Sequence, residues 1–478
     1  MMPPEDPAAE VEKLRQAVAK HFPVYDVSVS YQAVTMMITA PAGAVDAGFD
    51  ALRRELKAMG FVPFIRYEGG EHKITIVRRP PARQANLWIN RALLAATFAT
   101  TTLAGMALWA DYSRSAELLS LSNLLWGALF FAVPLMAILG VHELSHYYAS
   151  KRNGVDASLP YFIPFLPPFG TMGAFISMRD PMPSRRALVE IGAAGPLGGL
   201  AVTLPVALLG LYLTSLGQPL DGPVGDEGLM AIVIQPLYQL LAMFIPLPEG
   251  VPLHPTAFAA WVGFFVTAIN LLPAGQLDGG HVARGLLGDR AKYLSYAVGG
   301  LLVVLSFVAY SGWLLFGLLV VMLGLNHPAP LNDITPPGPR AKVIGAAVLV
   351  VFAATFVPTP MFAIQADHSF DMDAVGGANV TVPPGGVIEV RIVLTNAGNT
   401  DSVVQLTLND VPGSWRGSIF LEDGANATNR LTVPLAYEGA ANVTVRLAVD
   451  ATPGARDLQL HAASEGAVRD LVLNVTVG

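Results

Sequence analysis

His142 and His146, four residues apart in the stretch VHELSHYY (Val141–Tyr148), are the residues of this chain best suited to chemistry. In a helix, positions i and i+4 share one face, so two imidazole nitrogens can reach a single metal ion. Glu143 is turned about 100° further round. From there a carboxylate can handle the proton of a water on the same ion without ligating it. Zinc held in this way acidifies water and polarises a carbonyl, which is the chemistry of amide hydrolysis. The setting is apolar: Leu118–Val141 carries no charge, and ionisable groups at membrane depth are costly unless they face protein or water. If Lys151 marks the bilayer boundary, His142 lies about 13 Å inside it at the helical rise per residue.

A hydrolytic zinc takes three protein ligands and keeps one position for water. The extended soluble motif would need Gly and His where the chain has Ala149 and Arg152, and no glutamate occurs between Tyr147 and Arg179. Glu190, His254, Asp278 and His281 are the later candidates in apolar surroundings. The stretch NLLPAGQLDGGH, Asn270 to His281, is the best placed of them. Its Asp278 precedes Arg284 by six residues, about 9 Å below the same boundary.

The elements that must carry these groups are mostly membrane spans. Of 478 residues, 53% are hydrophobic and 14% charged, against about a quarter charged in soluble proteins. The net charge of −7, without a basic stripe interleaved with aromatics, excludes a nucleic-acid partner. Cysteine is absent, so neither a disulfide nor a thiolate metal site can form. The segment MMPPEDPAAEVEKL lacks a basic region followed by an apolar one, so no cleavable signal peptide is expected. Uncharged runs at Ala92–Ala110, Leu118–Val141, Ile191–Leu220, Val251–Leu277, Tyr293–Asn326 and Val343–Gln365 predict seven spans, with Tyr293–Asn326 split at Ser311-Gly312. Leu229–Pro248, broken by Pro236, Pro246 and Pro248, reads as a re-entrant or surface segment.

Lysines and arginines favour the cytoplasmic side of short loops. Arg78, Arg79, Arg83 and Arg91, then Lys151 and Arg152, then Arg284 and Arg290 mark that side, whereas Asp221, Asp226, Glu227 and Glu249 mark the outer one. The N-terminus is then cytoplasmic and the C-terminus outside, in a multi-pass protein of the cell membrane. Residues 1–86 read as a small cytoplasmic α+β domain, residues 87–366 as the multi-pass α-helical core, and residues 367–478 as an extracytoplasmic all-β, immunoglobulin-like sandwich. Sequons at Asn379, Asn426, Asn442 and Asn474 are compatible with that location. The proline-rich stretch Leu159–Met178 cannot be an ordinary span. It reads as a hairpin whose strand Ala174–Met178, with Phe175 and Ile176, could pair with an unwound substrate; a plain amphipathic loop is the alternative. Gly195, Gly198 and Gly199 read as a close helix-packing face.

Taken together, HELSH at 142–146, NLLPAGQLDGGH at 270–281 and the intervening GTMGAFISMRDPMPSRRALVEIGAAGPLGG, Gly170 to Gly199, resemble the site-2 protease family of intramembrane zinc metalloproteases, in the branch of archaeal members and plastid EGY-like proteases. The resemblance implies one Zn2+ per chain held by His142, His146 and Asp278, with Glu143 as general base. It implies that Asn270 contacts substrate backbone, and it leaves His281, in the family's LDGGH string, as a residue supporting the site. The implied activity is a zinc endopeptidase cutting within or near the membrane segments of protein substrates, in regulated intramembrane proteolysis or membrane protein turnover. The C-terminal sandwich could touch envelope, glycans or substrate ectodomains. A non-catalytic anchor or a metal-binding transporter displaying the sandwich remains the alternative at this level.

Overall fold

The computed structural model of the chain describes residues 7–30, 33–40, 45–80, 86–218, 229–248, 250–421 and 428–478. Arg83, Asp221, Asp226, Glu227, Glu249 and Asn426 lie outside these described residues. Two compact units form, one from Met1–Pro219 with Val233–Pro360 and the other from Leu220–Ile232 with Met361–Gly478.

The first unit begins with α1 (Pro7–Ala19), β1 (Val24–Val29), β2 (Ala33–Ile38), α2 (Val45–Ala58), β3 (Phe61–Glu68) and β4 (Glu71–Arg78). The strands form an antiparallel sheet of order β1-β2-β4-β3. Gly69 and Gly70 turn β3 into β4 at φ of +65° and +84°, a conformation that suits residues without a Cβ. Leu14, Val18, Phe49, Leu52 and Leu56 from the helices close over Met36, Ile65 and Ile74 from the sheet.

The helical part follows: α3 (Leu87–Tyr112), α4 (Leu121–Gly127), a π-helical stretch (Ala128–Ala132) and α5 (Val133–Arg152). Next come a hairpin of β5 (Tyr161–Pro164) and β6 (Thr171–Phe175), then α6 (Arg185–Ser215). Among the described residues, Leu87–Tyr112, Leu121–Arg152, Arg185–Ser215 and Asp278–Val308 are long and apolar enough to cross a membrane. The chain is a multi-pass membrane protein. The seven residues of α7 (Pro236–Ala242) are too few to cross. Helix α8 (Pro255–Asn270) spans only 16 residues of the run Val251–Leu277, because Pro273 cannot continue it and Gly275 turns at φ +54°. Helices α9 (Asp278–Leu287) and α10 (Ala291–Val308) then run to a break at residues 309–312, past which lie α11 (Trp313–Leu323) and α12 (Pro339–Thr355).

The strand expected at Ala174–Met178 lies earlier, at Thr171–Phe175, with Tyr161 opposite Phe175 and Pro164 opposite Thr171. The hairpin tip decides this register. Gly170, at φ +73°, lies flat on α3, where an added Cβ would fall 2.5 Å from the Thr100 carbonyl oxygen. The Thr100 hydroxyl donates to the Gly170 carbonyl at 2.7 Å.

In the second unit β7 (Leu229–Ile232) pairs with β8 (Met361–Ile364), so β8 lies within the residues first assigned to the membrane core. The chain continues as β9 (Phe370–Ala374), β10 (Asn379–Val382), β11 (Val387–Asn396), β12 (Ser402–Asn409) and β13 (Arg416–Leu421). It ends with β14 (Arg430–Leu435), β15 (Ala440–Ala448), β16 (Gly454–Ala463) and β17 (Val468–Val477). Two sheets result, of order β10-β17-β16-β12-β14 and β13-β15-β11-β9. Alternate residues point inward, and Val404, Leu406, Leu458 and Val475 of one sheet share an apolar cluster with Ile392, Leu394, Val443 and Val445 of the other.

Candidate metal centre

Helix α5 delivers His142, Glu143 and His146 to one buried face, at 3%, 6% and 4% exposure. Asp278 reaches the same point from the first turn of α9. The two imidazole Nε2 atoms are 3.2 Å apart, and Asp278 Oδ2 lies 3.2 Å from that of His142 and 3.1 Å from that of His146. Three ligands of a tetrahedral zinc, each about 2.0–2.1 Å from the ion, are separated by about 3.3 Å. The donor set therefore fits zinc in both chemistry and spacing. A further contact supports it: His146 Nδ1 lies 2.8 Å from the Ile191 carbonyl, which makes Nδ1 the N–H donor and leaves Nε2 as a lone pair. That lone pair and a carboxylate oxygen converge with His142 Nε2, an arrangement that a cation stabilises. Glu143 stands beside the triangle, its Oε1 3.9 Å from His142 Nε2.

Helix α6 presses its glycines onto the ligands. A Cβ on Gly195 would lie 2.0 Å from His146 Nε2, one on Gly199 3.2 Å from His142, and one on Gly198 2.1 Å from the Ser145 hydroxyl. On the opposite side Gly279 and Gly280 let the start of α9 rest on backbone, where Cβ atoms would lie 2.1 Å from the Leu271 carbonyl oxygen and 2.3 Å from that of Gly275. This close approach holds Asp278 near α5.

Among the other candidates, Asn270 ends α8 with its amide nitrogen 3.4 Å from His142 Nε2. The Ile176 backbone lies close to the Glu143 carboxylate, while Phe175 is 49% exposed. His281 turns to a different partner, His327, through a close Nδ1 to Nε2 contact. Glu190 pairs with Arg186 at 2.9 Å, and His254 caps the far end of α8, accepting from the Thr256 N–H. Neither joins the metal cluster, whose members are His142, His146 and Asp278. His327, the Ile191 carbonyl and the direct contact of Gly195 with a ligand are features that the sequence reading missed.

Comparison with known proteins finds similarity across the part of the chain that holds this geometry. Residues 130–308, which hold every metal-cluster residue, match Peptidase family M50. The chain is similar to the probable zinc metalloprotease EGY2, chloroplastic, of Oryza sativa subsp. indica, at 32% identity over 50% of this chain and 44% of that protein. It is similar to the Arabidopsis thaliana protein of the same name, at 32% identity over 47% of this chain and 40% of that one. The probable zinc metalloprotease EGY1, chloroplastic, of Arabidopsis thaliana is 30% identical over 48% and 43% of the two chains. The matches thus span less than half the length of these curated relatives. Within that span, residues 130–308 match Peptidase family M50, and the chain is similar to the EGY zinc metalloproteases.

Proposed function

We propose that the chain is an intramembrane zinc endopeptidase that hydrolyses peptide bonds within or near the transmembrane segments of membrane proteins. The single observation that carries this reading is the convergence of His142, His146 and Asp278 on one point beside the Glu143 carboxylate. When bound there, zinc supplies Lewis-acid polarisation of a carbonyl and acidifies water. Glu143 accepts the proton of the attacking water and passes it to the leaving amine. Asn270, next to His142, donates its amide to substrate backbone. Peptide bonds inside a membrane helix are already hydrogen-bonded, so the substrate must unwind before it can be cut. Strand β6, with Phe175, and the following Ile176 offer that unwound segment a pairing edge. Substrates with helix-weakening residues near the cut are favoured.

The distribution of Lys and Arg supports a cytoplasmic N-terminal domain (1–86), a membrane core (87–366) and an extracytoplasmic C-terminal domain (367–478). The sheet orders β13-β15-β11-β9 and β10-β17-β16-β12-β14 support an immunoglobulin-like reading of that C-terminal domain. Such a module suits contact with envelope, glycans or substrate ectodomains.

The test is made on purified protein in detergent, with bound zinc and cleavage of an unstructured reporter compared between wild type and Glu143→Gln. A protease keeps its metal in the variant and loses turnover. Retained cleavage, or a wild type without zinc, would overturn the assignment.

A further inference from the structure

We propose that the N-terminal domain is a working part of the protease, because Arg53, Lys57 and Arg79 lock the base of the β5–β6 hairpin and the end of the metal-binding helix in the register that cleavage needs. This inference rests on the protease reading above. A two-stranded hairpin is marginal by itself, and a one-residue slip would send each side chain to the opposite face. External anchors must therefore set its register.

The tip is anchored on α3, and the base is anchored on the N-terminal domain. Lys57 Nζ lies 2.7 Å from Asp180 and 3.1 Å from Asp156. Arg79 pairs with both carboxylates, at 3.0 Å for Asp156. Asp180, with its side chain 10% exposed, also accepts the Asp156 N–H at 2.9 Å. From this lock the two chains pair upward. Arg179 N–H donates to the Asp156 carbonyl at 2.8 Å, Ala157 bridges Met178, and Ser158 N–H donates to the Ser177 carbonyl at 2.9 Å. The next residue is Ile176, whose backbone meets Glu143. Four residues of extended chain, about 13 Å, thus separate the lock from the carboxylate that handles the proton.

The same domain holds the other elements of the site. Arg53, only 5% exposed, donates to the carbonyls of Asn153 at 3.1 Å and Gly154 at 3.3 Å, just past the end of α5. Lys57 donates to the Gly154 carbonyl as well, at 3.0 Å. On the opposite edge, Ile65 N–H and Arg66 both donate to the Leu331 carbonyl at 2.9 Å. Leu331 is buried in the core of the N-terminal domain. Two residues on, Asp333 pairs at 2.7 Å with Arg284, a buried residue of the helix that begins at Asp278. The end of helix α5 and the residues Asp156 and Asp180 at the hairpin base are tied directly to this one domain, and α9 is tied to it through residues 331–333. A domain that served only as an appendage would not need these ties.

The experiment uses the full chain with Lys57→Met/Arg79→Met, Asp180→Asn, and the conservative Lys57→Arg/Arg79→Lys. Bound zinc, kcat and KM for the reporter, and amide hydrogen exchange at residues 174–178 are measured on each. Loss of the lock should raise KM at least tenfold, change kcat less than threefold, accelerate exchange at 174–178 and leave zinc at one per chain, with the conservative variant close to wild type. Should the double variant not fold, Asp180→Asn, which keeps the side chain's size, decides by the same readouts. Wild-type KM and exchange in a folded variant would overturn the proposal. Absence of turnover in the wild type sinks the protease reading instead, and exchange at 174–178 then decides by itself whether the lock holds the strand.

Discussion

Gly195 shows how little room the metal centre leaves. Its missing side chain is the space that His146 Nε2 occupies, since a Cβ there would lie 2.0 Å away. The contact is with a ring fixed at its other nitrogen by the Ile191 carbonyl, so the ring cannot swing aside without breaking that bond. Gly195→Ala should therefore cost at least a hundredfold in zinc affinity, about 2.7 kcal/mol, measured by competition with a chelator. Gly300→Ala, where an added Cβ meets nothing within 4 Å, should bind as wild type does; equal affinity in the two variants would refute this account. At this scale the sequence was most informative where helical spacing alone fixes geometry, as for His142, Glu143 and His146. Asp278 needed the second motif. His327 and Ile191 were invisible because they reach their partners from 46 and 45 residues away, and nothing in the local pattern marks such an approach.

Among the elements, the hairpin departs most from its sequence reading. Its prolines announced that it was no span, and its strand was legible in kind but displaced, because the Thr100 contact with Gly170 fixes the tip. Ends of helices were likewise misjudged where composition stays apolar past the last turn, as at Asn270, and Pro273 with Gly275 sets the true limit. Replacing Ile176 with proline removes the backbone N–H next to Glu143 and should lower cleavage at least a hundredfold while zinc content stays unchanged. Cleavage within threefold of wild type would remove β6 pairing from the mechanism. Acid should loosen the base of the same hairpin. Burial alone would raise the Asp156 carboxyl above its usual range, but hydrogen bonds from Arg79 and Lys57, with the charges of Lys57 and Lys151, bring it down to about 2. A carboxyl whose folded value is depressed stabilises the docked state above its unfolded value near 4 and loses that stabilisation as pH falls towards 2. Exchange at 174–178, taken relative to the intrinsic amide rate at each pH, should rise over that window in wild type and lose most of this pH dependence in Asp156→Asn. An identical rise in both would assign the effect to other groups.

At the level of the whole molecule, the division into two compact units separates what zinc can stabilise from what it cannot. The two larger sheets of the second unit close on a cluster of their own, from Phe370 to Val477, and no member of the metal cluster belongs to it. In the first unit the metal would join α5 to α9, whose ligands stand 132 residues apart in the chain. A ligand that binds only the folded state stabilises it by about 4.1 kcal/mol at a thousand times its dissociation constant. A worthwhile test is thermal unfolding in detergent with and without a zinc chelator, following tryptophan fluorescence for the first unit, which holds five of the chain's six tryptophans, and amide exchange of strands β9–β17 for the second. Chelation should lower the fluorescence midpoint by several degrees and leave the strand midpoint in place. A strand midpoint that falls by the same amount would mean that the two units unfold as one cooperative block, and a fluorescence midpoint that does not move would mean that the three side chains do not share a metal.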